Sequence, residues 1–155
     1  MDILSLILAI ISGVVAVVSV VFSIITYKKA VVHDRKQATL EAFNRLQTEA
    51  FDHLNVMSPA NIREICEDPK CEAYKTLSSY VARIEHFCVG VKNDIYDKDT
   101  VYELAHGYLD GKMLMDRIGP LMFAKSRGGK NYYDHITYVL QWMEKREAKN
   151  EHKRS

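Results

Sequence analysis

Cysteine is scarce, with only Cys66, Cys71 and Cys88 in 155 residues. An odd number of thiols in a chain with long apolar segments excludes a disulfide-stapled scaffold and fits a reducing compartment. Neither sign of charge prevails: 21 Lys and Arg stand against 20 Asp and Glu, for a net charge of +1. No large positive field is available to hold duplex nucleic acid, so an anion site must come from a few basic residues gathered locally or by symmetry. The chain also lacks a Walker phosphate loop, H-E-x-x-H, a paired C-x-x-C, G-x-S-x-G and a dinucleotide fingerprint. Arg127 and His135 do not make the R-x4-6-H pair of helical RNases, because seven residues lie between them, a double glycine among these. Neither an enzyme nor a cofactor is expected. Cys66, Cys71, His86 and Cys88 could be drawn as four zinc ligands, but His86 and Cys88 stand two apart on an expected helix and point about 200° apart. Free thiols and no metal are expected there.

What is present begins at the N-terminus. From Ile3 to Tyr27 there are 25 residues without a charge, dominated by Ile, Leu and Val. As a helix they reach roughly 37 Å against a hydrocarbon core of about 30 Å, enough to span with some tilt. A cleavable signal would want a positive start and a shorter apolar stretch, whereas this one begins with Asp2 and ends in Tyr27-Lys28-Lys29. Residues 1–29 therefore read as an uncleaved single-pass anchor. Lys28, Lys29, Arg35 and Lys36 lie just beyond it, so the positive-inside rule places the C-terminal domain in the cytoplasm. Ser5, Ala9, Ser12, Ala16, Ser19, Ser23, Thr26 and Ala30 succeed one another at alternating steps of four and three, a heptad seam of small residues. In lipid, helices associate through close backbone approach and hydroxyl hydrogen bonds, which such a seam supplies, so a parallel homo-oligomer is expected.

After Lys28 no Gly or Pro occurs until Pro59, and Phe43, Leu46, Ala50 and Leu54 mark one helical face. The anchor is expected to continue as helix to about Leu54. Ser58-Pro59 reads as a cap and first helical residue of a short helix through Cys66, ended by Asp68-Pro69. Between Cys71 and Val91, the residues Tyr74, Leu77, Tyr80, Val81, Ile84, Phe87, Cys88 and Val91 make the broad apolar face of a core helix, with Gly90 suited to its end. Asp97 or Asp99 can cap a helix carrying Val101, Leu104 and Ala105, and the pattern resumes at Leu114, Ile118 and Leu121. Tyr132 to Lys145 reads as a last amphipathic helix with Tyr133, Ile136, Val139, Leu140 and Met143 inward. No sustained alternation of β-branched residues occurs, so the fold class is all-α: one transmembrane helix followed by a small cytoplasmic helical bundle over 30–145. Residues 146–155 belong to a charged, frayed tail that begins near Glu144.

The segment from Lys125 to Tyr133 gathers Lys125, Arg127 and Lys130 around Gly128 and Gly129, ahead of a helix N-terminus and beside Tyr132 and Tyr133. Cations, approachable backbone amides and aromatic faces suit a nucleotide phosphate and its base. The same residues would equally form a solvated loop with Tyr133 in the core. Arg83 and Lys92 flank the core helix and add to the patch if the fold brings them near.

Two stretches carry a resemblance: His33-Asp34-Arg35-Lys36-Gln37-Ala38-Thr39-Leu40-Glu41, and Val81 to Val91 (VARIEHFCVGV) leading into Asn93-Asp94-Ile95-Tyr96-Asp97. With Gly119-Pro120-Leu121 and Ser126-Arg127 they resemble a bacterial family built as one membrane helix plus a short helical domain. The layout also resembles the membrane-anchored ancillary effector of type III CRISPR systems. That resemblance implies an inner-membrane protein whose cytoplasmic domain binds cyclic tetra-adenylate and forms a homotetramer. It is a likeness of layout, so no binding residue is carried over from it. Another class remains open: a constitutive membrane-anchored scaffold that recruits a protein partner and binds no nucleotide.

Overall fold

The computed structural model describes residues 2–109, 111–125 and 133–152, without the side chains of 4–6, 9 and 124–125. Helix α1 (Ile3–Leu46) runs into a π-helical turn (Gln47–Phe51) and then α2 (Asp52–Val56). There follow α3 (Pro59–Glu67), α4 (Glu72–Lys92), α5 (Lys98–Ala105), α6 (Gly111–Lys125) and α7 (Asp134–His152), and no strand occurs among the described residues. The all-α class is as expected. By its internal contacts the chain divides after Arg35.

The first unit is helix alone. It supplies most of a helix long and apolar enough to cross a membrane, and the apolar window of that helix is wholly unburied. Val14, Val17, Val18 and Phe22 all stand exposed, which is how a helix looks when its solvent is lipid and not the protein's own core. Ser12, Ala16, Ser19 and Ser23 are likewise exposed, while the side chains of Ser5 and Ala9 lie outside the description. The Ser19, Ser23 and Thr26 hydroxyls donate to the carbonyls of Val15, Ser19 and Phe22 at 2.8, 2.8 and 2.9 Å. A hydroxyl with no water at hand bonds the i−4 carbonyl of its own helix. The hydroxyl donors of Ser19, Ser23 and Thr26 are therefore spent within the helix.

The second unit builds its core on the residues the helical periodicity selects. Leu77, Val81, Ile84, Cys88 and Val91 of α4 are fully buried, and α4 packs on α7 and on the π-helical turn while α3 packs on α6. Phe43, Leu46, Ala50 and Leu54 are buried as expected, and Phe51 joins them. Adjacent residues in an α-helix point about 100° apart; the π-helical turn widens the spiral so that Ala50 and Phe51 both face inward. At its start the Thr48 hydroxyl donates to the carbonyls of Asn44 and Arg45 at 3.2 and 3.1 Å, taking up acceptors that the altered ladder leaves over.

Caps punctuate the bundle. The Ser58 hydroxyl accepts from the Asn61 N–H at 3.2 Å and the Asp97 carboxylate from the Thr100 N–H at 2.9 Å, as their residue types suggest. Less expected is Cys71, whose sulfur accepts from the Tyr74 N–H at 3.3 Å. The charged C-terminal segment departs from its expected fraying, because α7 runs to His152. Arg146 reaches back to Asp99 at 2.7 Å and lies 4.4 Å from the Tyr102 ring centroid, and His106 meets Glu147 at 3.6 Å. Those contacts hold residues that composition alone assigns to a tail.

Gly90 has a use other than ending its helix, which continues to Lys92. The chain turns back through Asp94, at φ 57°, and the Ile95 N–H donates to the Gly90 carbonyl at 2.9 Å. That return lays the Tyr96 ring on Gly90, where a Cβ would overlap the ring edge, and stacks it on Phe87 at 5.0 Å and 21°. The next residue is fixed as well, since the Asp97 N–H donates to the buried Thr39 hydroxyl at 2.8 Å. Thr39 of one stretch and Phe87, Gly90, Tyr96 and Asp97 of the other thus hold the α4–α5 turn against α1. Gly90→Ala gains about 1 kcal/mol of helix propensity but displaces Tyr96 at a cost of about 1–3 kcal/mol. Chemical denaturation should show a net loss of about 1 kcal/mol.

Candidate functional site

Arg127, Lys130 and Tyr132 of the basic segment lie outside the described residues, and Lys125 closes α6 with its side chain outside the description. Tyr133 is buried at 4% exposure, with its phenol pushed up to about 12 by burial and by the nearby Tyr74 and Glu85. It is a core residue, not a face for a base. Arg83 and Lys92 stand nine positions apart on α4, which turns them to opposite sides of that helix. Arg83 meets Glu49 of the π-helical turn, whereas the Lys92 ammonium lies 5.6 Å from the Tyr138 ring centroid on α7.

The strongest polar constellation within the bundle is structural. The Glu85 carboxylate accepts from the backbone N–H groups of His135 and Ile136 at 3.2 and 2.9 Å and stands 2.5 Å from His135 Nδ1. These are donors of the first turn of α7, which have no partner within the helix itself. A carboxylate from α4 does the cap's work and meets the positive helix end as well. Close by, burial and Glu85 push the Cys88 thiol well up from the usual thiol range. Burial and the neighbouring Cys71 raise Cys66 as well, so both thiols are held in the unreactive form. His86 stands exposed while Cys88, two residues on, is buried.

A cleft of about 420 Å³ opens where the end of α1 and the π-helical turn face α4. Ala42, Leu46, Ala82, Phe87 and Tyr96 supply its apolar lining, and Arg45, Glu49, Arg83 and His86 its polar rim. Arg83 Nη1 donates to Glu49 across it. Among the described residues the Arg45 guanidinium and the His86 ring have no hydrogen-bond or ion-pair partner. The rim carries two guanidiniums against one carboxylate, and any proton on His86 adds to the excess. A second concavity of about 260 Å³ beside α7 is rimmed by Glu144 and Glu147 as well as Lys112 and His106, so its charges largely cancel. Sequence reasoning singled out Arg83 in the first cleft but not Arg45, Glu49 or His86. The one available signal was that Arg83 and His86 sit three apart on α4, on one side of the helix.

The fold and this geometry define a class: an all-α chain with one helix fit to cross a membrane and a small bundle bearing a cation-rimmed cleft. In comparisons with known proteins the chain matches no protein-family model, no curated protein and no solved structure.

Proposed function

We propose that this chain is a membrane-anchored effector of antiviral defence, whose bundle senses a cyclic oligoadenylate in the cytoplasm and which acts on the bacterial inner membrane as a homo-oligomer. The observation that carries the reading is the joining of a helix with a lipid-length, charge-free stretch to a small bundle with cations around an apolar cleft. An anchor and a compact anion-recognising domain are the two parts such a sensor needs. Lys28, Lys29, Arg35 and Lys36 support the cytoplasmic placement, and the resemblance of layout supports cyclic tetra-adenylate as ligand and a tetramer as assembly. A parallel cyclic assembly repeats each basic residue around its axis, matching a ring with one phosphate per unit. Residues of the span and of the bundle both belong to α1, so a ligand that favours one arrangement of the bundles can bias the spans.

The scaffold reading draws on a different feature, the exposed Val56, Ile95 and Phe123 of the bundle, which a protein partner could cover. Binding separates the two. Full-length protein in detergent, titrated against labelled cyclic tetra-adenylate in a gel shift, is expected to retard the ligand at micromolar concentrations or below. No retardation with cyclic tri-, tetra- or hexa-adenylate would remove the sensing function and leave the scaffold.

A further inference from the structure

We infer that the cleft between α1, the π-helical turn and α4 is a phosphate site, and that Glu49 holds the place of the ligand's phosphate on Arg83 until the ligand arrives. The class of ligand is a phosphodiester nucleotide unit, an assignment that rests on the sensing role for the ligand's identity but on the cleft's own chemistry for its location. Arg45, Arg83 and His86 converge on one opening from two different elements. Guanidinium forks match phosphate oxygens two at a time, and they hydrate weakly enough to work beside apolar surface. The lining below is apolar, and its volume falls within the roughly 300–1,000 Å³ of small-ligand sites, with room for one sugar, base and phosphate.

The π-helical turn gives Glu49 its position. Such single turns amount to a one-residue insertion, found frequently at functional sites, and a one-residue shift rotates everything beyond it by about 100°. In this chain the turn carries Glu49 to Arg83, 34 residues away in sequence. Both side chains are about half exposed, at 52% for Arg83 and 41% for Glu49, so the pair contributes little to folding. A carboxylate that adds little stability yet sits on one of the guanidiniums of a cleft is a competitor of any anion that enters. Arg45 and His86 are already available to meet that anion, and Arg83 is handed over when it binds.

Equilibrium dialysis on full-length protein in detergent tests this, with cyclic tetra-adenylate and adenosine 5′-monophosphate as probes. Arg45→Glu should weaken binding about tenfold or more. Glu49→Gln should tighten it by about fivefold, the worth of a half-exposed ion pair at most. Arg127→Glu with Lys130→Glu reads the basic segment's share of binding separately from that of the cleft. Thermal unfolding of all three variants should match the parent, since the altered side chains of the cleft are exposed or half exposed. If cyclic tetra-adenylate binds but ignores Arg45→Glu and Glu49→Gln, the cleft proposal is overturned and the sensing role stands. If the tetra-adenylate fails but the monophosphate binds in an Arg45-dependent way, the cleft stands and the sensing role falls. Binding of neither probe removes both. Should the loop variant also lose binding, Glu49→Gln decides, because only removal of a competitor increases affinity.

Discussion

Leucine in place of Ser12, Ala16 and Ser19 is expected to abolish self-association of the anchor. Small side chains let two helix axes approach to about 8 Å, and leucines on the same line force them toward about 10 Å. Dispersion between backbones falls steeply over that interval. At on the order of 1 kcal/mol for each position, the three together weaken association roughly a hundredfold. Cross-linking or energy transfer in bilayers reads the change directly. Leucine at Val14 and Val21, off the seam, serves as the control and should leave the oligomer intact. Because the Ser19 and Ser23 hydroxyls donate to Val15 and Ser19 of their own helix, Ser19→Ala with Ser23→Ala should be nearly silent. A loss in the alanine variant would mean that hydroxyls bond between chains, and unchanged cross-linking in the leucine variant would mean that the seam is not the contact.

The parts of this fold that were legible are those whose cause is local. Twenty-five residues without a charge can be read as a span from composition, Ser58 as a cap from its own side chain, and the α5 cap as either Asp97 or Asp99, of which the structure uses Asp97. The core face of α4 follows from spacing alone. What escaped depends on residues far apart in the chain. The π-helical turn left no mark, because Phe43, Leu46, Ala50 and Leu54 already make a plausible face and nothing requires Phe51 to join it. The helix to His152 escaped because Arg146 finds Asp99 and Tyr102 more than forty residues earlier. The cleft escaped for the same reason: Arg45 and Glu49 lie on one element and Arg83 and His86 on another, and each alone reads as a solvated charge. Arg83 and Lys92, each expected to add to the basic segment if the fold brings them near it, stand nine positions apart on α4 and so face opposite sides of that helix.

Family-like sequence and ligand chemistry also part company in the structure. Thr39, Gly90, Tyr96 and Asp97 stand within the two stretches that carry the resemblance, and their contacts with one another or with Phe87 explain them as parts of one turn. His86 and Arg83, in the same stretch, face the cleft instead. One segment therefore serves two ends, with one side of α4 fixing the bundle and the other facing the solvent-open cleft. A substitution on the first side should act through stability, and one on the second through binding alone.

The largest stability effect is expected at Glu85. Glu85→Ala removes the acceptor for two backbone donors at the start of α7 and for His135, in a place where the carboxylate is only 15% exposed. Hydrogen bonds to a charged acceptor are worth about 1.5–3 kcal/mol each, and a partner left unsatisfied adds its desolvation cost. Water reaches part of the vacated site and recovers some of this, so a net loss of about 3 kcal/mol is expected, or roughly 10 °C in Tm for a bundle of this size. Glu85→Gln keeps one carbonyl acceptor without the charge and should lose about half as much. Trp142, the chain's only tryptophan, lies on α7 edge-on to Tyr102 at 6.4 Å, so its fluorescence follows the undocking of that helix separately from the apolar N-terminal one. A double-mutant cycle with His135→Ala apportions the effect. If the side-chain pair dominated, His135→Ala would cost as much as Glu85→Ala. If the carboxylate acts chiefly as a cap, His135→Ala costs about 1 kcal/mol and Glu85→Ala remains severe on either background. The second pattern is expected, because two of the three partners of Glu85 are backbone groups that no substitution at His135 removes.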